Sequence, residues 1–264
     1  DDNKLSLLNK GNQNLIAKKL KNEIGFGKKI LEVGSGTAQL SQYFALGTNN
    51  DVTALDATYA SLKLGREFSF KNKIPNINFV NGDIFDEIFE ENIFDLVWCS
   101  GVLHHTKNPK KGFKQITKYL KRDGYIVIGL YNLYGRLFTK LRQVIYKFLP
   151  IIFKRKFIML ADPYLRILKN NKSNFSKINS WIRDQYEHPH ESLHTIDEVL
   201  RWFNEEKIEF INSIPVTNFE DNLDSKILSK INKGTFFERT INQILMLFST
   251  YGKEGGLFIV IGKK

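Results

Sequence analysis

The stretch Ile30-Leu31-Glu32-Val33-Gly34-Ser35-Gly36-Thr37-Ala38 decides how the chain is read. Residues 30–33 make a short, mostly apolar strand. The glycines after it let the backbone turn tightly and approach a ligand, because a Cβ at either position would intrude. A dinucleotide-binding turn would place a third glycine at position 39, which is Gln39 here. Glu32 stands where a pyrophosphate would be repelled and a cation welcomed. Outward from this turn, helix and strand signals alternate. Upstream, Leu15, Ile16, Leu20 and Ile24 recur at helical spacing and stop at Gly25 and Gly27. Downstream, a helix from near Ala38 to about Leu46 ends at Gly47 and the Asn49-Asn50 pair. Strands follow over 52–55, 77–80, 94–99 and 125–130, with helices over 60–70 and from about 111 to 120. The alternation predicts an α/β fold built on a doubly wound, mainly parallel sheet, with its ligand beyond the carboxyl ends of the strands. Residues 208–214 and 257–261 read as further strands, and the long connection between them as a helix around Ile241, Ile244, Leu245 and Leu247.

Glu32-x-Gly34-x-Gly36 after an apolar strand resembles the first motif of the class I, Rossmann-like methyltransferases that depend on S-adenosylmethionine (SAM). The likeness continues along the chain. Asp56, closing the second strand, resembles the acidic residue that binds the ribose hydroxyls. Asn81-Gly82-Asp83-Ile84 is similar to the segment that meets adenine, with Asp83 accepting from the exocyclic amine and Ile84 packing on the ring. Phe94-Asp95-Leu96-Val97-Trp98-Cys99-Ser100, followed by Val102-Leu103-His104-His105, resembles the fourth motif and its sequel. Arg122-Asp123-Gly124-Tyr125 resembles the turn into the fifth strand. The resemblance spans about residues 29–132 and implies a seven-stranded sheet with an antiparallel last strand and SAM as cofactor. It implies a cofactor site of Glu32, Gly34, Ser35, Gly36, Asp56, Ala57, Asp83, Ile84 and Ser100. The ammonium and sulfonium of SAM are the cations that Glu32 would suit.

A sulfonium methyl is already activated, so the protein must mainly position the acceptor and exclude water. A hydroxyl or protonated amine acceptor also needs a base, for which histidine is suited near neutral pH. His104 and His105 follow the fourth strand, where the methyl would lie, although such histidines also serve to fix a loop. Tyr131 and Asn132 end the fifth strand at the same edge. Three of the five histidines fall within Asp184-Gln185-Tyr186-Glu187-His188-Pro189-His190-Glu191-Ser192-Leu193-His194. This segment reads as a loop that either closes over the acceptor with Tyr186, His188 or His190, or leads into a helix opened by a Thr195–Glu198 capping box. No metal is expected, since Gly101 and His104 stand where some relatives carry metal-binding carboxylates.

The net charge of +11 is local. From Arg136 to Lys177 there are 11 Lys or Arg and one acid, Asp162. In that stretch Leu137, Leu141, Val144, Ile145 and Phe148 recur at helical spacing opposite Lys140 and Lys147; Pro150 interrupts, and 151–168 resumes the helix. Residues 134–183 therefore read as a basic helical insertion within a single domain over 1–264. It is either a lid with its apolar face on the domain and its lysines solvated, or a surface for an acidic or lipid-like substrate or an anionic membrane. Nucleic acid is disfavoured, because the fourth strand lacks an Asn/Asp-Pro-Pro-Tyr sequence and Cys99 lacks a preceding proline. One cysteine and no signal-peptide pattern suit the cytoplasm, with peripheral membrane association left open. The function expected is SAM-dependent methylation of a small molecule at oxygen or nitrogen. The alternatives are a regulatory SAM-binding protein without transferase activity and an RNA or protein methyltransferase.

Overall fold

The computed structural model describes residues 2–169, 175–187, 190–220, 226–248 and 256–264. Seven strands, β1 (Lys29–Val33), β2 (Asp51–Asp56), β3 (Ile77–Asn81), β4 (Phe94–Ser100), β5 (Leu120–Tyr131), β6 (Glu209–Ile214) and β7 (Leu257–Lys263), form one sheet ordered β3-β2-β1-β4-β5-β7-β6. Strands β1 to β5 pair in parallel, and β7 runs antiparallel to both β5 and β6. The doubly wound, mainly parallel sheet expected from the sequence is thus the one formed.

Because both faces of the sheet are covered, successive residues of one strand enter different cores. Ile30, Leu96 and Trp98 pack with α1 (Asp2–Gln13), α2 (Leu15–Ile24), α3 (Gln39–Ala45) and α4 (Tyr59–Lys71). Leu31, Val33, Val97 and Cys99 pack on the other side with α5 (Pro109–Lys118) and α10 (Ile196–Glu205). Strand order reverses between β1 and β4, the point at which sheets of this kind bind ligands in a crevice at the carboxyl edge. The two turns there touch: Gly34 has φ +69°, and a Cβ on it would lie 2.2 Å from Val102 Cγ2.

Several boundaries differ from the sequence reading. The helix expected over 111–120 is α5, which starts at Pro109 because the Asn108 side chain caps the Lys111 N–H. Leu120 already belongs to β5, and a register shift between Phe94 and Leu96 accommodates Asp123 at φ +63°. Helix α1, largely polar and burying only Leu7, carries too weak an apolar stripe to be read. The capping box at Thr195 is half formed: Thr195 Oγ1 accepts from the Glu198 N–H at 3.2 Å, but the Glu198 carboxylate is 3.0 Å from His194 Nδ1. A complete box, Thr235 with Glu238, opens α11 (Phe236–Leu245) in the connection between β6 and β7.

Between β5 and α10 lie α6 (Leu137–Phe148), α7 (Ile151–Ala161), α8 (Pro163–Lys169) and α9 (Phe175–Tyr186). Tyr146, Ile158, Leu165, Leu168, Ile178 and Ile182 give them a core of their own. The helix expected over 151–168 is two, since Pro163 has no N–H to continue α7. Asp162 Oδ1 starts α8 by accepting from the N–H groups of Tyr164 and Leu165 at 2.8 and 3.1 Å. The larger correction concerns α6. Its apolar stripe does not pack on the domain: Leu137, Leu141, Val144 and Phe148 are 56, 57, 53 and 81% exposed. The inward face carries buried Thr139 and Tyr146, and polar contacts hold it. Gln143 Nε2 donates to the Gln185 carbonyl at 2.7 Å, and Lys140 Nζ lies 3.0 Å from Glu191 Oε1.

Candidate active site

The glycine turn after β1 is tied to its neighbour strand, with the N–H groups of Gly34 and Ser35 donating to the Leu55 carbonyl at 2.8 and 3.0 Å. Asp56, at the end of β2, reaches across: its Oδ2 accepts from the Gly36 N–H and its Oδ1 from the Thr58 N–H, both at 2.7 Å. Each carboxylate oxygen keeps a second lone pair, the acceptor pattern a ribose diol needs. Gly36 has φ +55°, and a Cβ on it would meet nothing within 4 Å, so space is left in front of the turn. Ser35 Oγ is buried and has no hydrogen-bond partner among the described residues, a cost of the kind a bound polar ligand removes. An open cradle, an orphaned hydroxyl and a diol acceptor together fit SAM. Glu32 is buried behind the turn, its Oε2 accepting from the Ser41 N–H at 2.8 Å and from the Ser41 hydroxyl. Burial raises its carboxyl pKa to about 7, the Ser41 hydrogen bonds oppose this, and the Asp56 charge adds to it. A cation nearby would favour the ionised form. Ala57 and Asp83 are exposed along the same edge, and Ile84 and Ser100 are half-buried. Asp83 Oδ1 accepts from the Phe85 N–H at 3.0 Å, which fixes that loop.

On the acceptor side, the chain after β4 makes a 3-10 turn, Leu103–His105. His104 is fully buried, and its ring stacks on Tyr131 with centroids 3.9 Å apart. The half-buried His105 ring packs edge-on against it at 4.2 Å. His105 Nδ1 lies 3.1 Å from the His190 carbonyl oxygen. A carbonyl only accepts, so Nδ1 carries the proton and the lone pair of the neutral ring is on Nε2. Segment 190–194 is pinned down over this turn. The N–H and hydroxyl of Ser192 donate to the His104 carbonyl at 2.8 and 3.2 Å, and the His194 N–H donates to the Tyr131 carbonyl at 2.9 Å. The structure therefore brings together the 103–105 turn, the end of β5 and residues 190–194.

Other residues singled out in the sequence hold the scaffold. Asn132 Oδ1 accepts from the N–H groups of Tyr134 and Gly135 at 2.9 and 3.0 Å, and its amide donates to Gln243 at 2.9 Å. Tyr186 is not in a loop but is the last residue of α9, and its hydroxyl donates to Asp162 Oδ2 at 2.7 Å. Burial and that carboxylate push the phenol pKa well up, so it keeps its proton and serves the insertion. His190 is exposed and offers its carbonyl to His105. His188 lies outside the described residues. Among the described residues, no three His, Cys, Asp or Glu side chains gather as a metal site.

One central group was missed in the sequence. Arg136 is fully buried, with its guanidinium 3.6 Å from the centroid of the Tyr131 ring. It donates to Gln185 Oε1 at 2.7 Å and to Glu191 Oε2 at 2.6 Å, while the Gln185 amide donates to the Tyr131 hydroxyl at 3.0 Å. The partners lie about fifty residues apart in sequence, and Arg136 read as one more charge in a basic run. A signal existed in the three acids, Asp184, Glu187 and Glu191, just beyond a segment with one.

A family model described as a methyltransferase domain matches residues 24–205. A demethylmenaquinone methyltransferase of Renibacterium salmoninarum is 30% identical over 131 residues, covering 49% of this chain and 53% of its own length. A ubiquinone biosynthesis O-methyltransferase of Glaesserella parasuis serovar 5 is 26% identical over 189 residues, covering 70% of this chain and 66% of its own length. The chain spans about half the length of the curated relatives it matches. Among solved structures, PKMT2 from Rickettsia typhi superposes with a TM-score of 0.64 at 16% identity, over 92% of this chain and 51% of that one, which shows a shared fold. Since the family model runs from the end of α2 to the end of α10 and takes in both sides of the crevice, the chain belongs to the methyltransferase-domain family, in its SAM-dependent, class I Rossmann-like form.

Proposed function

We propose that this chain transfers the methyl group of SAM to a lipid-like small molecule, at oxygen or nitrogen, with His105 as the general base. The observation that carries the reading is the contact of His105 Nδ1 with the His190 carbonyl at the carboxyl end of β4. SAM, when bound, supplies a methyl group activated on its sulfonium. Asp56, Ser35 and the Gly36 turn hold the cofactor, and Glu32 supplies negative charge behind them. His105 Nε2 accepts the proton of an acceptor hydroxyl as its oxygen bonds the methyl carbon, or takes the proton of an acceptor ammonium beforehand to free the nitrogen lone pair, and S-adenosylhomocysteine is the leaving group. His104, stacked on Tyr131 and covered by Ser192, keeps that turn in place, and the 190–194 segment excludes water from it. The two relatives above, one named for demethylmenaquinone and the other for ubiquinone biosynthesis, support an apolar ring compound as acceptor, and the second supports oxygen as the atom.

The test uses labelled SAM with a panel of reduced quinones, other lipid phenols, RNA and protein. Label is expected in an organic-extractable small molecule. His105→Gln should lower that rate about a hundredfold or more and leave affinity for S-adenosylhomocysteine unchanged. Full turnover in that variant would remove His105 as base, and label in RNA or protein would remove the small-molecule reading.

A further inference from the structure

The outward stripe of α6 continues onto the start of α7. Phe148, Ile151 and Ile152 are 81, 84 and 75% exposed, and Phe153 is half exposed beside them. Large apolar side chains at the end of twelve-residue α6 and the start of eleven-residue α7 are thus left in water within a few residues of one another. Lone exposed apolar residues are ordinary, but a run of this size marks a surface that something covers. Between residues 137 and 169 there are eight Lys or Arg and one acid. That acid, Asp162, is buried and consumed by Tyr186, Trp181 and the start of α8, so it neutralises nothing outside. Lys147 and Lys156 are exposed, and Lys154 lies over the Tyr146 ring at 4.9 Å. Lys140, Lys147 and Lys154 also line a cleft of about 570 Å³ that borders Ile151. Of its carboxylates, Glu191 pairs with Arg136 and Lys140, and Glu187 accepts from the Tyr146 hydroxyl.

The geometry points to an anionic lipid bilayer as the occupant of this face, with Phe148, Ile151 and Ile152 entering the headgroup–acyl boundary and the exposed Lys147 and Lys156 meeting lipid phosphates. Charge selects the bilayer over a second copy of the chain. A two-fold contact would bring two basic faces together, whereas an anionic surface compensates them. Among the described residues no helix is long and apolar enough to cross a membrane, and helices of this amphipathic kind lie in the interface. The inference stands apart from the methyl-transfer reading, because it involves neither acceptor nor cofactor.

The test is co-sedimentation of the whole protein with vesicles of phosphatidylcholine alone and of phosphatidylcholine with phosphatidylglycerol. Binding is expected only to the anionic vesicles and should weaken as salt is raised, exposed charges being screened over about 8 Å at physiological ionic strength. The triple substitution Phe148→Ser, Ile151→Ser, Ile152→Ser should lower partitioning about a hundredfold, and Lys147→Glu with Lys156→Glu about tenfold or more. Retained affinity for S-adenosylhomocysteine reports that each variant is folded. Should the triple variant fail to fold, the charge-reversal pair and the salt series decide alone. No sedimentation with anionic vesicles at low salt would overturn the proposal, as would equal binding to neutral ones. Sedimentation velocity showing a wild-type dimer that the triple variant abolishes, without vesicle binding, would assign the face to a second copy.

Discussion

Replacing Asp56 by alanine isolates the cofactor half of the site. In the folded chain its carboxylate holds two backbone N–H groups, Gly36 and Thr58, each at 2.7 Å, and offers one further lone pair per oxygen to a ribose diol. A hydrogen bond to a charged acceptor is worth about 1.5–3 kcal/mol. Asp56 is only half-buried, so water competes and the lower end applies to each bond. Two such bonds make about 3 kcal/mol, or roughly a 150-fold rise in Kd. Asp56→Asn keeps one acceptor and loses the charge, and should fall between, near tenfold. Isothermal titration with S-adenosylhomocysteine measures both, and an unfolding curve for each variant separates lost contacts from a collapsed Gly36 turn. An Asp56→Ala protein that is folded and binds within about twofold of wild type would refute the diol assignment, and the cofactor geometry with it.

Three other perturbations probe different parts of the site. Glu32, raised to about 7 against an ordinary 4.5, contributes stability while protonated at low pH and loses it as pH rises from 4.5 to about 7. A cationic ligand reverses that preference, so SAM affinity should rise as pH approaches about 7 and Glu32→Gln should flatten the rise; a flat wild-type profile would contradict a cation beside it. Gly34→Ala forces a methyl 2.2 Å from Val102 at positive φ and should cost about 1–3 kcal/mol in urea unfolding. Gly36→Ala, with no atom within 4 Å, carries only the strain of φ +55°, about 1–2 kcal/mol, and should weaken S-adenosylhomocysteine binding by more than that; equal behaviour of the two variants would count against the cradle. Arg136→Met leaves Glu191 buried with Lys140 as its remaining cation, so the loss should be about 3 kcal/mol, near the low end for a broken buried pair, and a change under about 1 kcal/mol would show the network to be dispensable.

The sheet was legible because most of its strands are short apolar runs closed by glycine or Asx residues, and these features are local. The turn at Gly34 and Gly36 needs positive φ, which only a few residue types supply readily, so it too is written in the chain. What could not be read depends on partners far away in sequence. Arg136 is buried only because Gln185 and Glu191 return to it, and nothing near position 136 announces that. The stripe on α6 has the period of a helix that packs inward, yet Gln143 and Lys140 turn the opposite face to the protein. Amphipathic spacing shows that a face will be covered, not by what.

Methyl transfer itself decides the central claim. Wild-type protein with methyl-labelled SAM and reduced quinone or lipid phenol acceptors should yield a labelled, organic-extractable product and one equivalent of S-adenosylhomocysteine per methyl transferred. Tight binding of S-adenosylhomocysteine with no label moved to any acceptor across the panel would contradict the claim, and would make the chain a SAM-binding protein that performs no transfer.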